Sequence, residues 1–142
     1  MRIEGYEFPE GLYYDRNHFW GKPEGDVVLM GVTEFTSKLA GEITYIDLPG
    51  EGDGVVQGKP FGSVESGKWV GRIYAVVSGE VAAVNEALED EPEKVNEDPY
   101  GTWICKIKAK DLAGDLGRLM KAETLAEFIK SELARIKDQI KK

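Results

Sequence analysis

The chain has 142 residues, enough for one domain around a single core, and 42% hydrophobic with 31% charged residues and 17 glycines is a turn-rich globular composition. A formal net charge of −8 excludes a nucleic-acid footprint, and no apolar run approaches the ~20 residues of a membrane span. The opening "MRIEGYEFPEGLYY" lacks the basic-then-apolar pattern of a secretory signal, and the single Cys105 has no internal disulfide partner, so a cytoplasmic setting is expected.

Along the chain, residues 13–20 and 27–32 read as strands joined by a turn at Pro23-Glu24-Gly25-Asp26. Thr33 is placed to N-cap a short helix in "EFTSKLAG", which Gly41 ends. "EITYIDL" is a strand with two partly covered faces, followed by turns at residues 49–54 and at Gly58-Lys59-Pro60. "FGSVES" and "RIYAVV" are strands interrupted at Gly67-Lys68, and "EVAAVN" is a further strand after Ser78-Gly79. Asn85 is a candidate N-cap for a helix in "EALEDEPEKV"; "DPYG" is a turn, and "TWICKIKA" an edge-accessible strand.

From Ala122 to about residue 142 the apolar period lengthens from two to about 3.6. Leu125, Phe128, Ile129, Leu133, Ile136 and Ile140 form the stripe of a C-terminal helix, expected to dock on the chain's own core. Its basic end complements the helix dipole. Many short strands with glycine turns predict a mainly β domain spanning residues 1–142, a sandwich or barrel with appended helices.

Few side chains stand out as chemistry. Lys68 sits in a glycine-containing turn, with Gly67 and Gly71 beside it, between two stretches that read as rigid strand. It is either a solvated turn lysine or a deliberately presented amine. His18 is the only histidine, so it builds no zinc site alone, and a structural or partner-facing role is expected. Cys105, alternating with apolar neighbours in "WICKIK", reads as a buried, inert thiol. The glycines of "GEGDG" lack the Lys-Ser/Thr continuation of a phosphate loop, and the acidic stretch after Asn85 lacks the ladder of a calcium loop.

The segment "VESGKWVGRIYAVVSGEVAAVNEAL" resembles the lipoyl-attachment segment of the glycine cleavage system H-protein family. "HFWGKPEGDVVLMGVTEF", "LAGEITYIDLPGEGDGVVQGKPFGSVES" and "VNEALEDEPEKVNEDPYGTWICKIK" are similar to that family's flanking segments, so the likeness covers roughly residues 13–108. It implies a barrel-sandwich hybrid of two antiparallel sheets with a C-terminal helix, in a carrier and not an enzyme. Lys68 matches the lipoylated lysine, which implies covalent lipoate. Glu65 matches an acidic residue read by the attaching lipoate ligase or lipoyl transferase, with Ser66, Gly67 and Trp69 completing the recognised loop. Gly41 and Gly79, the latter after Ser78, match turns that shape the hairpin's setting.

The implied partners are glycine decarboxylase (P protein), aminomethyltransferase (T protein) and dihydrolipoamide dehydrogenase (L protein). The chain departs from the family's usual pattern at Gly67-Lys68-Trp69, where Val-Lys-Ala is usual, and at Gly71-Arg72, where Ser and an acid are usual. His18-Phe19-Trp20 replaces His-Glu-Trp, and Val76 replaces a proline. The Trp69-bearing loop is also similar to that of H-like lipoate-binding proteins, which work with a heterodisulfide-reductase-like complex in sulfur oxidation. An unmodified interaction module that uses its acidic face is a third reading.

Overall fold

The apolar alternation and glycine turns fold into two antiparallel sheets and a short ribbon, with helices packed at their margins. The computed structural model describes the backbone of residues 1–67 and 69–140 and the side chains as far as Arg135. Lys68, the basic residues Lys141 and Lys142, and the side chains of Ile136 and Ile140 lie outside the described residues.

The ribbon pairs β1 (Arg2–Ile3) with β2 (Tyr6–Glu7). Then come β3 (Tyr13–Tyr14), β4 (Phe19–Glu24), β5 (Val27–Val32), helix α1 (Glu34–Ala40), β6 (Ile43–Asp47) and β7 (Gly54–Val55). Strands β8 (Pro60–Ser66) and β9 (Trp69–Tyr74) form a hairpin, followed by β10 (Gly79–Val84) and the single-turn helices α2 (Ala87–Asp90) and α3 (Lys94–Glu97). The chain ends with β11 (Cys105–Ala109), α4 (Leu112–Leu116), β12 (Met120–Lys121), a 3₁₀ turn (Ala122–Thr124) and α5 (Leu125–Ile140). The larger sheet runs β12-β3-β4-β5-β11-β10-β7, and the smaller one β6-β8-β9. Among the described residues no helix is long and apolar enough to cross a membrane.

Strand period divides the interior into two clusters. Val28, Met30 and Val32 of β5 point into a core with Ile73, Val81, Cys105 and Ile107, while Leu29, from the opposite face, packs toward the second cluster. That second cluster holds Phe8, Tyr14, Trp20 and Phe35, and it receives Leu125 and Ile129 of α5. The described part of the apolar stripe therefore docks on the chain's own core. Trp20 lies flat over Gly31, its partner in the β4–β5 ladder; a Cβ on Gly31 would stand 2.8 Å from the indole, so glycine makes room for the ring.

Five expectations need correction. The strand expected at an accessible edge, β11, is interior, paired with β5 on one side and β10 on the other. The strand expected at 13–20 is two strands, because Asp15 folds the chain between them: its Oδ1 accepts the N–H groups of Asn17 and Phe19, each at 2.9 Å. His18 then adopts a left-handed φ of 69°. Pro23 belongs to β4, beyond the residues that pair with β3, so its missing donor breaks no ladder on that side. The helix expected after Asn85 is split into α2 and α3 at Glu91-Pro92, since a residue before proline avoids helical angles, and Glu91 sits at φ −130°, ψ 62°. The Asn85 side chain donates to the Trp103 carbonyl at 2.8 Å instead of capping. Helix α4 and strands β1, β2 and β12 are further elements, too short to leave a periodic signal.

Gly79 illustrates a packing requirement that its turn-like sequence conceals. It pairs with Ala109 on one side and Val55 on the other, and a Cβ there would run into the Lys108 carbonyl. Gly79→Ala should lower stability by about 3 kcal/mol, seen as a lower urea midpoint; an unchanged midpoint would show that the strands can part to admit a methyl group.

Asp15 makes stability depend on pH. Among the described residues its second oxygen is buried without a hydrogen-bond partner, and burial pushes its carboxyl up to about 7, against the N–H groups of Phe19 and Asn17 that favour the charge. An unfolded aspartate titrates near 3.8. Between those values the folded chain keeps a proton that the unfolded chain releases, so stability falls as pH rises through this window and levels off above it. Asp15→Asn should remove this fall, which is on the order of 2–4 kcal/mol, between unfolding measured at about pH 5 and about pH 8. Parallel pH profiles for parent and variant would exclude Asp15 as the source.

Candidate functional site

The β8–β9 hairpin projects the candidate site. Its ladder closes on Ser66↔Trp69, leaving Gly67 and Lys68 as the only two residues of the connection. Strand β6 secures the hairpin along β8, from Ile43↔Ser66 to Asp47↔Ser63. On that side Gly62 permits close approach, since a Cβ there would stand 2.6 Å from the Asp47 carbonyl. Strands β6 and β9 are the two edges of this sheet, with β8 between them.

The side chains at the tip divide between anchoring and display. The Ser66 hydroxyl donates to the Ala40 carbonyl at 2.5 Å, tying the hairpin to the C-terminal end of α1. That helix is capped as expected: Thr33 Oγ1 accepts the Thr36 N–H at 3.4 Å, and Gly41 leaves the helix at φ 77°. Gly67 is exposed, and a Cβ on it would meet nothing within 4 Å. Glu65 is half-buried, with exposed Tyr45 and Val70 as its cross-strand partners.

The expected recognition residues do not all gather here. Gly41 and Gly67 line one shallow depression with Ala40, Glu42 and Thr44. Gly79 lies in the other sheet, fixed by its pairing with β7 and β11. Gly71 does not shape the turn either: it pairs with Val64 inside β9, and the Trp69 ring lies over it where a side chain would otherwise stand. An aromatic that covers a strand glycine shields backbone the glycine leaves bare.

Beside the hairpin opens a cleft of about 390 Å³, bounded by the β3–β4 turn, α1, β9 and α5. Phe19 lines it together with Trp69 and Arg72, which lie far from it in sequence on β9. His18 forms part of its wall, between the rings of Phe35 and Phe128 at 4.6 and 5.4 Å, with Nε2 2.8 Å from Glu132 Oε1. Burial holds His18 below its usual pKa, against the opposing effect of Glu132. Burial also works against the charge of Glu132, but hydrogen bonds from Arg135 and His18 outweigh it and keep the carboxyl below its usual range. The lone histidine is thus a structural tie between the β3–β4 turn and α5. Cys105 is fully buried, and burial pushes its thiol up to about 12, which makes it unreactive.

Two residues that brace the fold carried no sequence signal of that role. Asn96, in the acidic stretch, donates to the Gly41 carbonyl at 2.8 Å and to that of Ser37 at 3.1 Å, and its Oδ1 accepts the Ile43 N–H at 2.8 Å. Asp115, in the unanticipated α4, is buried and accepts the Ser78 N–H at 2.7 Å. Only the tertiary arrangement makes either legible.

Known proteins place this geometry in context. The family described as Glycine cleavage H-protein matches residues 12–132. A probable glycine cleavage system H protein from Pyrococcus abyssi is 50% identical over 132 residues, covering 92% of this chain and 98% of its relative. The glycine cleavage system H protein of Thermus thermophilus is 43% identical over 127 residues, covering 89% and 98%. The crystal structure of a glycine cleavage system H protein from Mycobacterium marinum superposes with a TM-score of 0.76 at 29% identity, covering 88% of this chain and 98% of that one. With its hairpin, its two sheets and almost its whole length accounted for, the chain belongs to the glycine cleavage H-protein family.

Proposed function

We propose that this chain is the lipoyl carrier of a glycine cleavage system, with lipoate joined by an amide to Nζ of Lys68. The observation that carries the reading is the family match across residues 12–132, which contains the whole β8–β9 hairpin and the lysine at its connection. The described residues around the turn fit such a group. Gly67 faces open space, and Ser66 anchors the strand just before it. When bound, the lipoyl group supplies a disulfide at the end of an arm of about 14 Å, a centre that takes up an aminomethyl group or electrons and passes them on.

The chain's own contribution is presentation. A hairpin held by β6 and by the Ser66–Ala40 bond loses little conformational freedom when a partner engages it. Tethering keeps the reactive end at an effective concentration of roughly millimolar order near each bound enzyme. The partners in this reading are glycine decarboxylase, aminomethyltransferase and dihydrolipoamide dehydrogenase, with a lipoate ligase or lipoyl transferase attaching the group. A cytoplasmic, reducing setting suits a carrier whose one thiol, Cys105, is free and buried.

Intact mass tests the assignment directly. Produced in a lipoylating host, the parent should gain one lipoyl group and then support glycine–bicarbonate exchange with glycine decarboxylase. Lys68→Arg should fold, gain no lipoyl mass and support no exchange, because a guanidinium is not an acyl acceptor. A lipoyl group found on Lys22 or Lys59 instead would remove Lys68 from the role.

Glu65 is the side chain best placed for the attaching enzyme to read. Its carboxylate is half-buried on the hairpin and pairs with no described cation. Glu65→Gln should change stability by no more than about 0.5 kcal/mol, yet slow lipoylation under limiting enzyme through loss of a charge-assisted contact. Equal modification rates for parent and variant would take Glu65 out of the recognised set.

A further inference from the structure

The cleft between β9 and α5 has a charge that the rest of the molecule does not prepare for. In a chain of net charge −8, its lining contributes three guanidinium groups, Arg16, Arg72 and Arg135, against one carboxylate, Glu132. Glu132 is already engaged: Oε1 faces His18 at 2.8 Å, and the two oxygens accept Arg135 Nε and Nη2 at 3.0 and 3.1 Å. Arg16 lies over the Phe128 ring, 5.6 Å from its centroid. Neither Arg16 nor Arg72 pairs with a carboxylate among the described residues. Two guanidinium charges thus line a concavity whose other walls include Phe35, Leu39 and Trp69.

We propose that this cleft is a binding site for a small, singly charged oxyanion of the carboxylate or sulfonate class. Its volume of about 390 Å³ falls in the range of small-molecule sites, roughly 300–1,000 Å³. Arg16 and Arg72 are exposed at the rim of the cleft, and a guanidinium presents paired N–H donors in a plane that matches two oxygens of such an anion. Apolar walls favour an anion that carries a short organic group. A polyanion is opposed by the acidic remainder of the chain, and an organic ammonium by the like charge of Arg16 and Arg72. Trp69 follows Lys68 directly in the chain, so the site borders the position of the proposed attachment.

The inference does not depend on modification of Lys68, and its test uses the full chain without lipoate, so its failure would leave the carrier reading untouched. Methanesulfonate and acetate are titrated as probes at constant ionic strength held with chloride, with methylammonium as the cationic control. The backbone and indole N–H resonances of Trp69 and the amide of Arg72 are followed by NMR. Saturable shifts confined to the cleft are expected with the two oxyanions and not with methylammonium. Arg72→Gln should weaken methanesulfonate binding about tenfold, whereas Lys59→Gln, the same charge change on an exposed turn elsewhere, should not. Shifts that chloride reproduces, an equal response to methylammonium, or equal weakening by the two substitutions would overturn the proposal.

Discussion

The side chain of Asn96 joins three segments on which the hairpin depends. It satisfies carbonyls of Ser37 and Gly41 at the end of α1 and, through its oxygen, the first N–H of β6. The end of α1 and the start of β6 are thereby fixed to each other and to α3. Strand β6 in turn carries β8, and the Ala40 carbonyl receives the Ser66 hydroxyl. A two-residue connection at the tip of a hairpin would otherwise have only its ladder to hold it, and isolated hairpins are marginal in water. One amide therefore secures the base from which the candidate attachment site projects.

The opposite side of the hairpin is organised by α5. Leu125 and Ile129 bury its apolar face against Trp20 and Phe35, and this docking sets Glu132 within reach of His18. His18 reaches that position because Asp15 turns the chain between β3 and β4. Burial of Asp15 penalises its charge but brings two backbone donors onto one oxygen, so the turn is well defined at a pH-dependent cost. The cleft exists because turn, helix and hairpin meet along it. No single element carries the site.

Much of the fold was legible in the residues. Strand-like runs between turns marked β5, β6, β8, β10 and β11, Thr33 and Gly41 bracketed α1, and the 3.6-residue stripe marked α5. Those signals survive because each comes from a repeat longer than one turn or from a local cap. Two-residue strands such as β3 and β12 leave no period, and the turn after Tyr14 rests on one aspartate side chain that strand propensity ignores. The roles of Gly71 and Gly79 were hidden for a related reason. Glycine codes equally for a turn and for a close approach, and here Trp69 covers one while the Lys108 carbonyl crowds the other.

By itself the sequence determined the class of the domain, most of its longer elements and the presence of a lysine between two strands, since all of these follow from local pattern. The resemblance it carries singled out Lys68, Glu65 and Ser66. Only the tertiary structure decided that Ser66 anchors rather than displays, that His18 is a tie to α5, and that Phe19, Trp69 and Arg72 share a cleft with Arg16. The physical reason is distance along the chain. Packing brings together groups separated by up to 114 residues, as in the His18–Glu132 contact, and neither composition nor periodicity records which distant side chains will meet.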